Sequence, residues 1–116
     1  MKRSYTLYLQ DIVDAITAIA KFTEAMSEEE FLADAKTQSA VVWKIALIGE
    51  ATKHIPRGIR QKHKNVPLSK MAKMRDKISH AYFGIRHEIV WRVCKEELPT
   101  IQPTIGRILK DLKGGS

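Results

Sequence analysis

The apolar positions Tyr5, Leu9, Ile12, Ile16, Ile19 and Ala20 advance by threes and fours, the spacing of one face of an amphipathic helix. This first helix is predicted to end near Met26. Ser27-Glu28-Glu29-Glu30 then has the form of a capping box, in which a hydroxyl accepts from an orphan amide and a glutamate three residues on reciprocates. After a break around Asp34 to Thr37, Val41, Ile45, Ile48, Thr52 and Ile55 mark a long second helix. Pro56 should stop or kink it, since proline lacks an N–H and restricts the residue before it. A short basic connection follows. Pro67 precedes a third helix with the stripe Met71, Met74 and Ile78, and with Lys70, Lys73 and Lys77 on other faces. Ile89, Val90 and Val93 lead to Pro99, beyond which Ile101, Ile105, Ile108 and Leu112 resume the helical period. Pro99 is expected to kink or divide this last helix. Strand signals are weak, and no internal repeat or low-complexity block interrupts the pattern. Each stripe must bury itself against the others, so the reading is an all-α, four- to five-helix up-down bundle.

Composition narrows this further. A chain of 116 residues suits one compact domain with a single core, read here as 1–113 with Gly114-Gly115-Ser116 as a frayed tail. Hydrophobic residues make up 44% and charged residues 28%, an ordinary globular balance. No apolar run approaches the roughly 20 residues of a membrane span, and the chain start Met1-Lys2-Arg3-Ser4 lacks the apolar block of a signal peptide. No membrane partner and a cytoplasmic location are expected. The lone Cys94 reads as a small buried hydrophobe.

Charge is unevenly distributed. Residues 1–51 carry five Lys/Arg against eight Asp/Glu, a balance of −3, whereas residues 52–116 carry fifteen against five, a balance of +10. Between Lys53 and Lys77 stand nine basic residues and one acid, Asp76. Such a field attracts polyanions through counterion release, although a solvated basic face with no partner, or a patch that meets an acidic protein, would have the same charge.

The third helix also carries a conflict. With Met71 at zero and about 100° per residue, Met74, Ile78 and Tyr82 fall within about 60° of it and Arg75 about 40° away. An arginine on an apolar face must snorkel out, pair with an acid or line a cleft. His80 lies about 140° round the axis from Arg75 on an unbroken helix. If the helix ends near Ser79, ahead of Gly84, His80 can turn back toward the same lysine-lined cleft and Tyr82 closes the set. His54, His63 and His87 read as surface histidines, and Trp43 and Trp91 as core or interface residues rather than base-stacking platforms.

The string Met74-Arg75-Asp76-Lys77-Ile78-Ser79-His80-Ala81-Tyr82 resembles the Arg-x4-His-x-Tyr signature of HEPN proteins, specifically the HepT toxins encoded beside MntA-type nucleotidyltransferase antitoxins. Ile48-Gly49-Glu50-Ala51, Val66-Pro67, Tyr82-Phe83-Gly84, Ile89-Val90-Trp91 and Glu97-Leu98-Pro99 resemble further family segments in family order. The resemblance implies the HEPN fold and a metal-independent endoribonuclease, a homodimer whose motifs face one another across a positively charged cleft. RNA supplies its own 2′-hydroxyl nucleophile, so the chemistry asks for a proton-transfer group titrating near neutrality and a cation for the phosphorane charge. His80 and Arg75 are the residue types that can provide them.

On this reading Asp76 orients Arg75 or reaches the opposing subunit and Glu50 supports the arginine, with solvent-facing carboxylates the alternative for both, and Lys70, Lys73 and Lys77 bind RNA, either mRNA or tRNA. No metal and no cofactor are invoked. The resemblance further implies neutralisation by the nucleotidyltransferase antitoxin, with AMP transferred to Tyr82. The alternative is a non-catalytic HEPN partner that offers a nucleotidyltransferase a nucleotide- or RNA-binding surface.

Overall fold

The computed structural model describes residues 4–63, 68–80 and 84–113, with the side chains of residues 68, 69, 77–80 and 113 outside that description. The tail expected at 114–116 therefore falls outside the described residues. Helix α1 spans Tyr5–Thr23 and opens at Ser4, whose hydroxyl accepts from the Thr6 amide at 3.2 Å. That bond takes one of the amides a helix start leaves unpaired. The capping box forms as predicted. Ser27 Oγ accepts from the Glu30 amide at 3.1 Å and Glu30 Oε1 from the Ser27 amide at 2.9 Å, opening the short helix α2, Glu28–Leu32. Helix α3 covers Ala35–Lys53 and is capped by Asp34, which accepts from the Thr37 amide at 3.0 Å and the Thr37 hydroxyl at 2.7 Å. The break is thus narrower than the sequence reading, because one side-chain cap restarts the helix at once. Those bonds, the Thr37 amide first, hold the Asp34 carboxyl below the usual aspartate range.

Pro56 does end α3, but the connection after it is helical: α4, Arg57–Lys62. None of its residues is fully buried, so periodicity gave no sign of it, and Pro56 tolerates the site because a residue opening a helix needs no N–H donor. Helix α5 is Leu68–His80. The last segment is α6, His87–Arg92, then a π-helical turn, Val93–Glu97, then α7, Leu98–Lys113. The Leu98 amide donates to the Val93 carbonyl five residues back. Widening the turn immediately before Pro99 relieves the clash a proline ring makes with the carbonyl four residues earlier. Pro99 thus divides the rod without breaking it, and Pro103 lies within α7.

Helix α1 packs on α3 and α7, and α3 also packs on α5, while α2 braces α3 and α6. Tyr8 near the start of α1 stacks on His54 at the end of α3, centroids 4.3 Å apart, so these two helices are antiparallel. Helix α7 also runs antiparallel to α1: Lys95 Nζ donates to the Thr23 carbonyl at 3.0 Å, and Gln102 Nε2 to the Thr17 hydroxyl at 2.7 Å. Leu9, Ile12, Ile16 and Ile19 meet Val41, Ile45, Ile48, Met71, Leu98, Ile101 and Ile105 in one core. Each large aliphatic side chain so buried contributes about 1.5–3 kcal/mol. The two buried threonines are compatible with it because their hydroxyls donate within their own helices, Thr23 to the Ile19 carbonyl at 2.9 Å and Thr52 to the Ile48 carbonyl at 2.8 Å, which removes the cost of an unpaired hydroxyl.

Some stripe residues depart from expectation. Ala20 is exposed, as are Ile89 and Leu112, since an apolar stripe is wider than the contact it makes at helix ends. Trp91 packs on Phe31 at 5.3 Å with the Lys95 ammonium 4.8 Å from its ring centre, whereas Trp43 is 65% exposed and no core residue. Cys94 is buried and its thiol is pushed up to about 12 by that burial. Among the described residues no helix is long and apolar enough to cross a membrane.

Candidate active site

Arg75 lies where α5 crosses α3, and the crossing is close because of a glycine. A Cβ built on Gly49 would stand 2.2 Å from Arg75 Cβ and 2.6 Å from the Met71 carbonyl oxygen. Only a residue without a side chain fits that approach, which offsets the roughly 0.5–1 kcal/mol a glycine costs inside a helix. The next residue on α3, Glu50, places Oε2 3.5 Å from Arg75 Nε, and Asp76 Oδ1 stands 3.6 Å from Arg75 Nη1. Asp76 in turn is bonded by the Lys53 ammonium. Glu50 and Lys53 of α3 thus face Arg75 and Asp76 of α5 with charges opposed, and the Arg75 side chain remains 32% exposed.

Two grooves flank this region. One of about 400 Å³ runs between α1 and α3, lined by Tyr8, Asp11, Asp14, Lys44, Leu47 and Glu50. Glu50 therefore belongs both to the groove and to the arginine pair. The other, about 340 Å³, lies between α5 and the α6–π segment, with Lys70, Lys73 and Arg92 around Met74, Ile89 and Val93. Lys70 is bonded by Glu97 there.

The shared, lysine-lined cleft expected from the sequence is only partly what the fold builds. Arg75, Glu50 and Asp76 stand together. Lys70 and Lys73, by contrast, line a groove that Arg75 does not, because two and five residues along a helix are about 160° and 140° round its axis. Among the described residues, a lysine that does engage Asp76 is Lys53. Helix α5 continues through His80 without the break near Ser79 that a shared cleft required, so position 80, five residues from Arg75 as Lys70 is, stands about 140° round the axis from it; the side chains of His80 and Lys77 and the whole of Tyr82 lie outside the described residues.

Sequence reasoning missed two residues of the arrangement. Gly49 appeared only inside a family-like segment, although a lone glycine in a helical stripe is itself a mark of close backbone approach. Lys53 was counted only toward net charge, and no local signal ties it to Asp76, 23 residues away. Two histidines also differ from plain surface residues: His54 stacks on Tyr8, and His87 has a buried Nδ1 with no hydrogen-bond partner among the described residues, its ring edge-on to Phe31 at 6.4 Å.

Residues 12–108, which include the whole arrangement, match the profile of the family described as "Ribonuclease HepT-like". A Thermococcus cleftensis protein named "Probable ribonuclease HepT" is 43% identical over 110 residues, 95% of this chain and 100% of that protein. Two Methanocaldococcus jannaschii proteins provisionally named RNases are each 40% identical over 113 residues, 97% of this chain and 93% of theirs. No solved structure is matched at a significant level. On the family match and these nearly full-length relatives, the chain belongs to the HepT-like ribonuclease family.

Proposed function

We propose that this protein is a metal-independent endoribonuclease, the toxin of a toxin–antitoxin pair. The observation that carries the reading is the accessible guanidinium of Arg75, held at the α3–α5 crossing five residues before His80 in a chain of this family. In the reaction the RNA 2′-hydroxyl attacks its own adjacent phosphorus. His80 takes up that proton, Arg75 stabilises the charge growing on the non-bridging oxygens, and the 5′-oxygen leaves with a proton from a second acid. His80 of a second copy is our candidate for that acid, which makes the homodimer part of the mechanism. A self-association face is available beside the site: Trp43, Leu47 and Glu50 share one stripe of α3, and the first two are exposed apolar side chains.

Lys70, Lys73 and Lys77 guide the RNA backbone, in mRNA or tRNA, and the surplus of cations in residues 52–116 raises its local concentration. We assign neutralisation to an MntA-type nucleotidyltransferase antitoxin, with Tyr82 as acceptor of AMP, and place the pair in the cytoplasm. Purified protein should cut single-stranded or tRNA-like RNA in EDTA, and His80→Ala should fold and bind but not cut. Cleavage that survives that substitution removes the assigned mechanism.

One observation favours a second reading. Arg75 faces two carboxylates, as an arginine does when its task is to join helices. A non-catalytic partner of a nucleotidyltransferase would use it so, and would bind RNA or nucleotide with no cleavage whether or not the antitoxin is present.

A further inference from the structure

The structure assigns Gly49 the role of positioning residue for Arg75: by omitting a side chain at the α3–α5 crossing, it sets the guanidinium within reach of Glu50. The assignment rests on the proposed role of Arg75 for its activity consequence only. The geometry stands on its own.

A methyl group at 49 would overlap Arg75 Cβ at 2.2 Å, approach Arg75 Cγ to 3.1 Å and meet the Met71 carbonyl oxygen at 2.6 Å. Two of these atoms anchor the Arg75 side chain and the third is backbone, so no rotamer change removes the overlap. Helix α5 itself has to move. An outward shift of about an ångström at this point moves the root of the Arg75 side chain away from Glu50, whose Oε2 stands 3.5 Å from Arg75 Nε, and catalytic geometry is lost over displacements of that size. The other described glycines inside helices are different in kind: a Cβ at Gly58 in α4 or at Gly106 in α7 meets nothing within 4 Å.

The test compares Gly49→Ala with Gly58→Ala in the full chain by two readouts. The first is independent of activity: the Arg75 Nε–Hε NMR resonance, identified by its loss in Arg75→Lys. In the wild type this resonance should move on Glu50→Gln. In Gly49→Ala it should be displaced and no longer respond to Glu50→Gln, while Gly58→Ala leaves it in place. The second is RNA cleavage, where Gly49→Ala should lower kcat about 10- to 100-fold with KM changed less than about threefold. In the Arg75→Gly background, which removes the overlapping Cβ and Cγ, it should lower kcat no further, whereas a general folding defect would add to the loss.

An Arg75 resonance unchanged in folded Gly49→Ala, or a kcat loss that persists without Arg75, overturns the assignment. Should the wild type not cleave RNA, the proposed function fails and the resonance still decides the role of Gly49. If Gly49→Ala does not fold, Arg75→Gly is added to remove the nearest overlapping atoms. Recovery of folding by that second change supports the positioning contact, and failure to recover assigns Gly49 to the Met71 backbone alone and overturns it.

Discussion

Arg75 and Glu50 stand 3.5 Å apart with side chains 32% and 49% exposed. Two unit charges at that separation attract by about 1 kcal/mol in bulk water, and partly exposed pairs, after solvent screening and side-chain ordering, contribute about 0.2–1 kcal/mol. Asp76, at 3.6 Å from the same guanidinium, adds little more because Lys53 also engages it. Arg75→Ala keeps the Cβ that packs on Gly49, so its total cost should be about 1 kcal/mol, a fall in melting temperature of about 3–6 °C for a domain of this size. Its cost to catalysis should be larger. Removing a donor aimed at developing negative charge typically lowers kcat about 10²–10³-fold. We would measure urea unfolding for Arg75→Ala, Glu50→Ala and the double variant, alongside single-turnover cleavage of RNA in EDTA. A coupling energy of at most about 1 kcal/mol with cleavage lost in Arg75→Ala is the expected pair of results. A coupling of about 3 kcal/mol or more with cleavage retained would refute the reasoning, since Arg75 would then be a helix-joining ion pair and not a reagent.

Three other outcomes are expected. Trp43→Glu places a charge on the exposed stripe of α3 and should convert a dimer to a monomer in sedimentation with an unchanged helical circular dichroism spectrum; a persisting dimer would move the self-association face elsewhere. Cys94, buried with its thiol pushed up to about 12, should not react with a disulfide reagent at pH 8 in the native protein and should react fully in urea. Asp34, with its carboxyl held below the usual aspartate range by the Thr37 bonds, stabilises the fold fully above the unfolded value near 4 and progressively less as pH falls through its own lower value. The melting-temperature gap between wild type and Asp34→Ala should therefore be greatest near neutrality and narrow as pH falls below the unfolded value; a gap independent of pH would contradict the cap.

The helical pattern carried most of the fold, because long amphipathic stripes are repeated many times along the chain. Leu9, Ile12, Ile16 and Ile19, and Val41, Ile45, Ile48, Thr52 and Ile55, are all buried as read, and the Ser27–Glu30 box closes as its residues require. Short-range breaks were less legible. Helix α4 buries no residue fully, so it leaves no stripe to see, and the π turn ahead of Pro99 is a backbone answer to a proline that periodicity alone leaves open between kink and division. Three of the residues the sequence singles out stand together, on a side of α5 different from that of Lys70 and Lys73. Glu50, Arg75 and Asp76 do converge, whereas Lys70 and Lys73 line the α6-facing groove. A count of nearby lysines cannot tell one side of a helix from the other, and the pairing of Lys53 with Asp76 depends on a helix crossing that only tertiary structure sets.

Cleavage of cellular RNA that depends on Arg75 and His80 is the central consequence of the proposed function. Expression of the wild type beside an Arg75→Ala/His80→Ala variant in a bacterium, with growth scored and RNA ends sequenced, should show arrest and new RNA termini for the wild type alone. Equal arrest and equal termini for both proteins, or neither for the wild type, would contradict it.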